Sequence, residues 1–174
     1  DAHVKLAAPT GKAARRVIDQ TGMDATTIHR LLEPMVIAGK FSFTRTHVNP
    51  IEADLIILDE VSMVDVPLMA RFLSAVGPGT RLILVGDTYQ LPSVGPGSVL
   101  RDLIASEVIP SVELTIIKRQ DEGLIVRNCH AIKAGRSIQI DNESRDFFFL
   151  DAEDPAEVQA MIFDLVARRL PAHY

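Results

Sequence analysis

The sequence has 174 residues, of which 47% are hydrophobic and 24% are charged, and its formal net charge at pH 7 is −5. This length and composition predict an ordinary globular domain with an apolar core. The longest apolar stretches are far shorter than the roughly 20 residues that span a bilayer, and no signal segment opens the chain. We therefore expect no membrane partner.

The cysteine content limits the cellular setting that we expect for the chain, and the charge distribution limits the kinds of ligand. The single cysteine, Cys129, excludes an internal disulfide and a cysteine-based metal site, and it predicts a reducing, cytoplasmic setting. The negative net charge argues weakly against nucleic-acid binding. However, residues 1–50 contain seven Lys and Arg against four Asp and Glu, whereas residues 51–110 contain three against eight. A basic first part and an acidic middle can serve two different ligands, although chance explains this asymmetry equally well.

The chain starts without an initiator methionine and runs straight into an apolar segment, which predicts that it is cut from something longer. Short β-type runs then alternate with helical patterns, which predicts an α/β fold with a mostly parallel sheet flanked by helices. The predicted strands cover residues 4–7, 55–58, 82–85, 113–117 and 147–150.

Helix ends carry their own signals. Asp65 precedes Val66-Pro67 and an apolar stripe, so its carboxylate can cap free N–H groups while the proline occupies the first turn. The pair Asp154-Pro155 repeats this arrangement before a second stripe. Gly135 provides a left-handed stop for a predicted helix over residues 123–134.

Residues 33–53 depart from the alternation. Two short extended arms surround Ala38-Gly39-Lys40, which predicts a small inserted β-hairpin, with a plain surface loop as the alternative.

The run of residues 54–60 ends an apolar strand in two adjacent carboxylates, Asp59 and Glu60. In a parallel sheet, ligands lie beyond the carboxyl ends of the strands, where these side chains would emerge. One acid can hold Mg²⁺ through its water shell, while the next polarises the water that attacks a γ-phosphate. For the dipeptide alone, ordinary surface acids are the simpler explanation.

A second apolar strand, over residues 82–85, also delivers polar groups. Gly86 has no side chain, so another group can approach its backbone closely, and Asp87 follows it. Gln90 has both a hydrogen-bond donor and an acceptor, which can contact a phosphate oxygen and a water molecule. Alone, this segment could be a simple turn with a surface amide. Two such strand ends, roughly 25 residues apart, favour a nucleotide site.

Two basic segments allow further roles. Arg119 follows the predicted strand over residues 113–117 and can stabilise charge on a transferring phosphoryl group, with a solvated surface residue as the alternative. Residues 8–13 resemble the end of a phosphate-binding loop, but that pattern requires a glycine and a hydroxyl residue where Leu6 and Ala13 stand. We therefore reject Gly11-Lys12 as the ATP cradle.

Six segments in order resemble the RecD-like superfamily-one DNA helicases. They are LAAPTGKAARR at residues 6–16, TIHRLL at 27–32, ILDEVSMVD at 57–65, LVGDTYQLPSVGPG at 84–97, ELTIIKRQ at 113–120 and LIVRNCHAIKAG at 124–135. The resemblance implies a RecA-like fold, ATP and Mg²⁺ as ligands, and ATP-driven movement on single-stranded DNA with duplex unwinding.

The same resemblance implies roles for the nucleotide-site residues. Asp59 corresponds to the Mg²⁺ ligand and Glu60 to the catalytic base. Gln90 corresponds to the γ-phosphate sensor and Arg119 to the transition-state arginine, although Lys118 replaces the aromatic residue often found beside that arginine.

DNA contacts are also implied by resemblance. Pro9, Thr10 and Lys12 correspond to a motif that contacts single-stranded DNA, and Thr27 and His29 are further candidates, His29 having packing on the sheet as its alternative. Residues 33–53 correspond to an inserted hairpin that is implicated in splitting the duplex. Other subunits of a recombination nuclease complex are implied as partners.

For domain organisation, the resemblance implies that residues 1–145 are part of a first motor domain and residues 146–174 a strand-helix link toward a second. The phosphate-binding loop is expected before residue 1, so the 174 residues alone are expected to be inactive. Two other functions stay open. One is a nucleotide-independent interaction module with relic motifs; the other is an RNA-directed motor, since no residue is identifiable as a reader of the 2′-hydroxyl.

Overall fold

The computed structural model describes residues 2–37, 39–116 and 123–173. The chain divides into two compact units, residues 1–113 and 114–174. The domain boundary predicted after residue 145 differs from this division and stays a prediction. Across the three described ranges, no helix combines the length and the hydrophobicity that crossing a membrane requires.

The first unit alternates strands and helices along the chain. Its elements are β1 (Val4–Ala8), α1 (Gly11–Thr21), β2 (Ala25–Thr27), α2 (Ile28–Leu31), β3 (Pro34–Ile37), β4 (Lys40–Phe43), β5 (Leu55–Leu58), a 3₁₀ turn (Val61–Met63), α3 (Val66–Ala75), β6 (Arg81–Leu84) and α4 (Val99–Ala105).

Four strands form one parallel sheet in the order β2-β1-β5-β6, which confirms the predicted α/β architecture. Val4 of β1 lies opposite Leu55 of β5, and Leu55 lies opposite Arg81 of β6. Because all four strands run in the same direction, their carboxyl ends lie along one side of the sheet. We call this side the carboxyl edge; it comprises residues 9–12, 27–29, 59–62 and 85–90.

The core of the first unit is built around β5. Ile56 and Leu58 alternate with half-buried neighbours and are fully enclosed, as expected where successive side chains point to opposite faces of a sheet. They belong to one apolar cluster with Phe72 of α3, Ile28 of α2 and Leu100 of α4. Helices and sheet are therefore held together by a shared core, which fixes the strand ends.

The helix caps follow the sequence signals. The Asp65 side chain accepts a hydrogen bond from the N–H of Leu68 at 2.8 Å and caps α3, which has Pro67 in its first turn. Gly22 ends α1 at φ +68°, in the left-handed region where glycine is not strained. These caps satisfy backbone groups that each helix leaves unpaired.

The predicted hairpin is confirmed, although its two strands cover a shorter segment than the predicted residues 33–53. β3 and β4 pair antiparallel, with Pro34 opposite Phe43 and Ile37 opposite Lys40. At its base, the guanidinium of Arg45 bonds the Glu33 carboxylate at 2.9 Å and the carbonyl oxygen of Pro50 at 3.0 Å. The hydrogen bond that Arg45 donates to the Glu33 carboxylate raises the pKa of Arg45.

The regular secondary structure in the described part of the second unit is helical. It contains α5 (Leu124–Lys133), α6 (Pro155–Asp164), a π-helical turn (Leu165–Arg169) and α7 (Leu170–His173). Asp146 caps α5 from a distance, accepting hydrogen bonds from the N–H groups of Leu124 and Ile125 at 3.1 and 3.0 Å. Asp154 caps α6, as predicted. Gly135 follows α5 at φ +65°, which confirms the predicted stop.

Two strand predictions were wrong. Residues 113–116 and 147–150 are not in strands, and residue 117, the last of the first predicted strand, lies outside the described residues. Leu114 and Phe148 are 91% and 59% exposed, because an apolar run forms a strand only where a neighbouring backbone pairs with it. In the second segment, side chains bond the backbone instead: the N–H of Phe149 donates to Asn142 Oδ1 at 2.8 Å. The predicted strand over residues 82–85 both begins and ends one residue earlier, at Arg81 and Leu84, and the three-residue β2 was not predicted.

Candidate functional site

The carboxyl edge brings together the polar strand ends that the sequence singles out. Asp59 and Glu60 follow β5, and Gly86, Asp87 and Gln90 follow its neighbour β6. Backbone hydrogen bonds join the segments that follow the two strands. The N–H of Val85 donates to the carbonyl oxygen of Leu58 at 2.8 Å, and the N–H of Val61 donates to the carbonyl oxygen of Val85 at 2.9 Å. The two candidate nucleotide segments are therefore adjacent.

The backbone turns sharply at the two acidic residues that follow β5. Asp59 continues the pairing by donating its N–H to the Ala7 carbonyl at 2.9 Å, and its carboxylate accepts the N–H of Glu60 at 2.9 Å. Glu60 then adopts φ +54° in the left-handed region, which costs a non-glycine residue about 1–3 kcal/mol and is concentrated at functional sites. This turn ends the extended chain of β5 and leads directly into the 3₁₀ turn Val61–Met63.

Gly86 permits the second exit to pack against this turn. A Cβ atom on Gly86 would lie 3.1 Å from the backbone nitrogens of Val61 and Ser62, closer than side chains ordinarily approach backbone. The absence of a side chain therefore lets the β6 exit touch the residues that follow Glu60, as predicted from the glycine. Beyond it, Asp87 orders its own loop by accepting the N–H of Tyr89 at 2.9 Å.

Gln90 shares a small depression with Ser62 and Thr88. Its volume is about 20 Å³, which is room for about one water molecule. The hydroxyl oxygen of Ser62 is buried and has no hydrogen-bond partner among the described residues. An unpaired buried hydroxyl is unfavourable, and this one lies in the depression that Gln90 also lines.

Arg16 was not predicted as a site residue, yet it reaches the acidic motif. Its Nη1 atom lies 3.7 Å from Oε1 of Glu60, and the side chains are 44% and 19% exposed, respectively. Nothing in the spacing of the two residues in the sequence indicates this contact. It arises because α1 follows β1, the strand that pairs directly with β5.

The first DNA candidates lie where β1 ends. Only Pro9 and Thr10 separate β1 from α1, which is too short a connection to surround phosphates and agrees with rejecting Gly11-Lys12 as the ATP cradle. The hydroxyl of Thr10 accepts the N–H of Ala13 at 3.2 Å and caps α1. Lys12 is exposed in the first turn.

The second pair of DNA candidates lies where β2 ends. The hydroxyl of Thr27 accepts the N–H of Arg30 at 3.2 Å and caps α2. The exposed ring of His29 is tilted against Phe43 of the hairpin, with ring centroids 6.0 Å apart. Both threonine oxygens thus have structural roles as acceptors, while their hydroxyl protons can still be donated to a ligand.

Arg119, the candidate transition-state arginine, lies outside the described residues. Within those residues, no three His, Cys, Asp or Glu side chains converge as a metal cage. Mg²⁺ needs no such cage, because in phosphoryl-transfer sites it is held by one or two carboxylates together with substrate phosphates and water. The hard carboxylate oxygens of Asp59 fit that requirement.

Comparisons with known proteins agree with this architecture. A family model described as an AAA domain matches residues 1–148. The chain is 44% identical over 135 residues to the ATP-dependent RecD2 DNA helicase of Deinococcus radiodurans, a match that covers 77% of the chain and 18% of that protein. It is 37% identical over 177 residues to the RecBCD enzyme subunit RecD of Mycobacterium tuberculosis, covering 88% of the chain and 30% of the relative.

A solved structure shows a similar fold. The Pif1 helicase from Bacteroides, crystallised with ADP-AlF3 and single-stranded DNA, matches with a TM-score of 0.52 and 21% identity. The match covers 95% of this chain and 47% of the Pif1 chain. At this identity the likeness concerns the fold alone. The chain spans less than a third of the length of the two curated relatives.

Proposed function

The chain belongs to the AAA-domain family and to the RecD-like superfamily-one helicases, and from this premise we propose that its carboxyl edge hydrolyses ATP to drive movement along single-stranded DNA. The observation that carries this proposal is the adjacency of Glu60 and Gln90, which follow neighbouring parallel strands and whose segments touch through Gly86. A base and a γ-phosphate sensor must act on the same water molecule, and this arrangement supplies both from one rigid sheet.

Each residue of the site has a distinct role in hydrolysis. Glu60 accepts a proton from water as the water oxygen bonds to the γ-phosphorus and the bond to the bridging oxygen of ADP breaks. Gln90 orients that water and a phosphate oxygen through its acceptor and donor. Arg119 is proposed to stabilise the charge that spreads over the transferring group.

Mg²⁺ is the proposed cofactor, and Asp59 is the residue that would hold it, through water. When bound, the ion neutralises charge on the β- and γ-phosphate oxygens. Asp59 keeps its carboxylate at the strand end by accepting the Glu60 N–H, so its position is fixed by the same turn that presents Glu60.

DNA is proposed to bind along the part of the carboxyl edge formed by β1 and β2. Pro9, Thr10 and Lys12 follow β1, while Thr27 and His29 lie at the end of β2. Because the strand order is β2-β1-β5-β6, these residues lie beside the nucleotide residues without overlapping them. At this edge, Lys12 belongs to the β1 side, and the acidic residues Asp59, Glu60 and Asp87 belong to the β5–β6 side.

The proposed function also implies partners and a cellular location for the complete protein. The mycobacterial relative is named as a subunit of the RecBCD enzyme, so we propose that other subunits of a recombination nuclease contact the complete protein. The single cysteine is in keeping with a reducing, cytoplasmic setting.

Functional variants are best made in a complete helicase that carries this chain, called here the host helicase.

We expect Lys12→Ala in the host helicase to weaken single-stranded DNA binding and to lower the slope of log affinity against log salt by about 0.7, the contribution of one phosphate contact. DNA-free ATP hydrolysis should change little. The measurement is a fluorescence-anisotropy titration at several salt concentrations. Thr10 is left unchanged, because its hydroxyl caps α1.

Arg81→Ala is the matched control, since Arg81 is an exposed cation at the opposite end of the same sheet. Its binding and salt slope should equal those of the unchanged protein. If Lys12→Ala keeps the full salt slope while nucleotide affinity collapses, Gly11-Lys12 belongs to the ATP site and the DNA assignment is wrong.

A further inference from the structure

The ion pair between Arg16 and Glu60 connects the two sides of the carboxyl edge. Arg16 lies on α1, the helix that starts at the DNA candidates, while Glu60 is the proposed base. Glu60 is mostly enclosed at 19% exposure, whereas Arg16 is 44% exposed. The guanidinium therefore remains accessible to a second anion while it contacts the carboxylate.

Helical spacing places Arg16 on the same face of α1 as Lys12. Residues four apart lie one above the other on a helix, so an anionic strand that reaches Lys12 passes close to Arg16. Arg15, the adjacent residue, points elsewhere and pairs with Asp19 at 3.1 Å on an exposed face of the same helix. Only one of the two neighbouring arginines thus joins the DNA side to the nucleotide side.

We propose that Arg16 is a DNA-sensitive positioning residue that restrains Glu60 in the absence of DNA. This inference rests on the proposed function. With no DNA bound, the guanidinium engages Oε1 of Glu60, so that this oxygen is poorly available to take a proton from water. When single-stranded DNA binds at Lys12, a backbone phosphate competes for the guanidinium and releases the carboxylate.

Competition is the physically reasonable way to break this pair. A phosphate accepts two parallel hydrogen bonds from a guanidinium, which is a better arrangement than a single 3.7 Å contact. The restraint therefore couples DNA binding to ATP hydrolysis through one side chain.

The test is Arg16→Ala in the host helicase, with steady-state ATP turnover measured without DNA and with saturating oligothymidylate. We expect DNA-free turnover to rise by about fivefold or more, in the lower part of the usual range for coupled sites. The DNA-saturated rate and the KM for ATP should stay nearly constant, so the stimulation ratio falls. Arg16→Lys, which keeps the charge, should give an intermediate ratio, and Arg15→Ala should leave the ratio unchanged.

Two results would overturn the restraint. If Arg16→Ala lowers turnover equally with and without DNA, Arg16 only supports the fold of the site. If it raises the KM for ATP and leaves the stimulation ratio unchanged, Arg16 binds the nucleotide. The double variant Arg16→Ala, Glu60→Gln distinguishes failure of the restraint from failure of the proposed function. If this double variant still hydrolyses ATP, Glu60 is not the base and the proposed function fails as well.

Discussion

Replacing Glu60 with Gln in the host helicase is expected to reduce ATP turnover by about 10²–10⁴-fold, the usual contribution of a positioned acid or base. The amide keeps the size of the side chain but cannot take a proton from water. Nucleotide affinity should change little, because in the proposed mechanism Glu60 acts on water and Asp59 is the metal ligand. Phosphate release and binding of a fluorescent ATP analogue measure the two quantities separately.

Glu52→Gln is the matched control for this variant. Glu52 is 84% exposed and pairs with Arg45 at 3.5 Å, an arrangement that contributes little to stability. Turnover of this control should equal that of the unchanged protein. Turnover of the Glu60 variant within a few-fold of the unchanged protein would rule out Glu60 as the base.

Phe72→Ala should produce the largest loss of stability. Phe72 is fully buried between α3 and the sheet, in the cluster that includes Ile56 and Leu58. Truncating a buried phenylalanine to alanine lowers the free energy of unfolding by about 3–5 kcal/mol, because apolar contacts are lost and a cavity remains. Urea unfolding of the 174-residue chain, followed by far-ultraviolet circular dichroism, measures this loss.

Leu73→Ala provides the comparison on the same helix. Leu73 is 47% exposed, so its truncation removes less buried surface and should lower the free energy of unfolding by under about 1.5 kcal/mol. Equal losses for the two variants would mean that α3 does not pack on the sheet through Phe72. The site would then lack the rigid support that its geometry requires.

The sequence predicts the strands of the site well because their signals are local and agree with their surroundings. Residues 55–58 are a short apolar run that ends in two carboxylates, and burial on a parallel sheet explains both features. The apolar runs at 113–116 and 147–150 misled the prediction, since hydrophobicity does not show whether a neighbouring strand is present. Pairing depends on the fold, which a short window of sequence does not contain.

The candidate site was predictable only in part. Asp59, Glu60 and Gln90 follow apolar strands and could be found from strand ends, and Gly86 from the need for close approach. Arg16 could not, because its partner is distant in the sequence and the contact depends on the pairing of β1 with β5. Thr10 stays a predicted DNA contact, and the capping of α1 by its hydroxyl oxygen was not predicted.

The position of a bound nucleotide tests the central claim most directly. The measurement is a crystal structure of the host helicase with Mg²⁺, ADP, a metal fluoride that mimics the transferring phosphoryl group, and single-stranded DNA. We predict that the fluoride lies at the carboxyl edge in contact with Gln90, with Glu60 facing it and Asp59 on the metal side. A nucleotide bound with none of these three residues around its terminal phosphate would contradict the account.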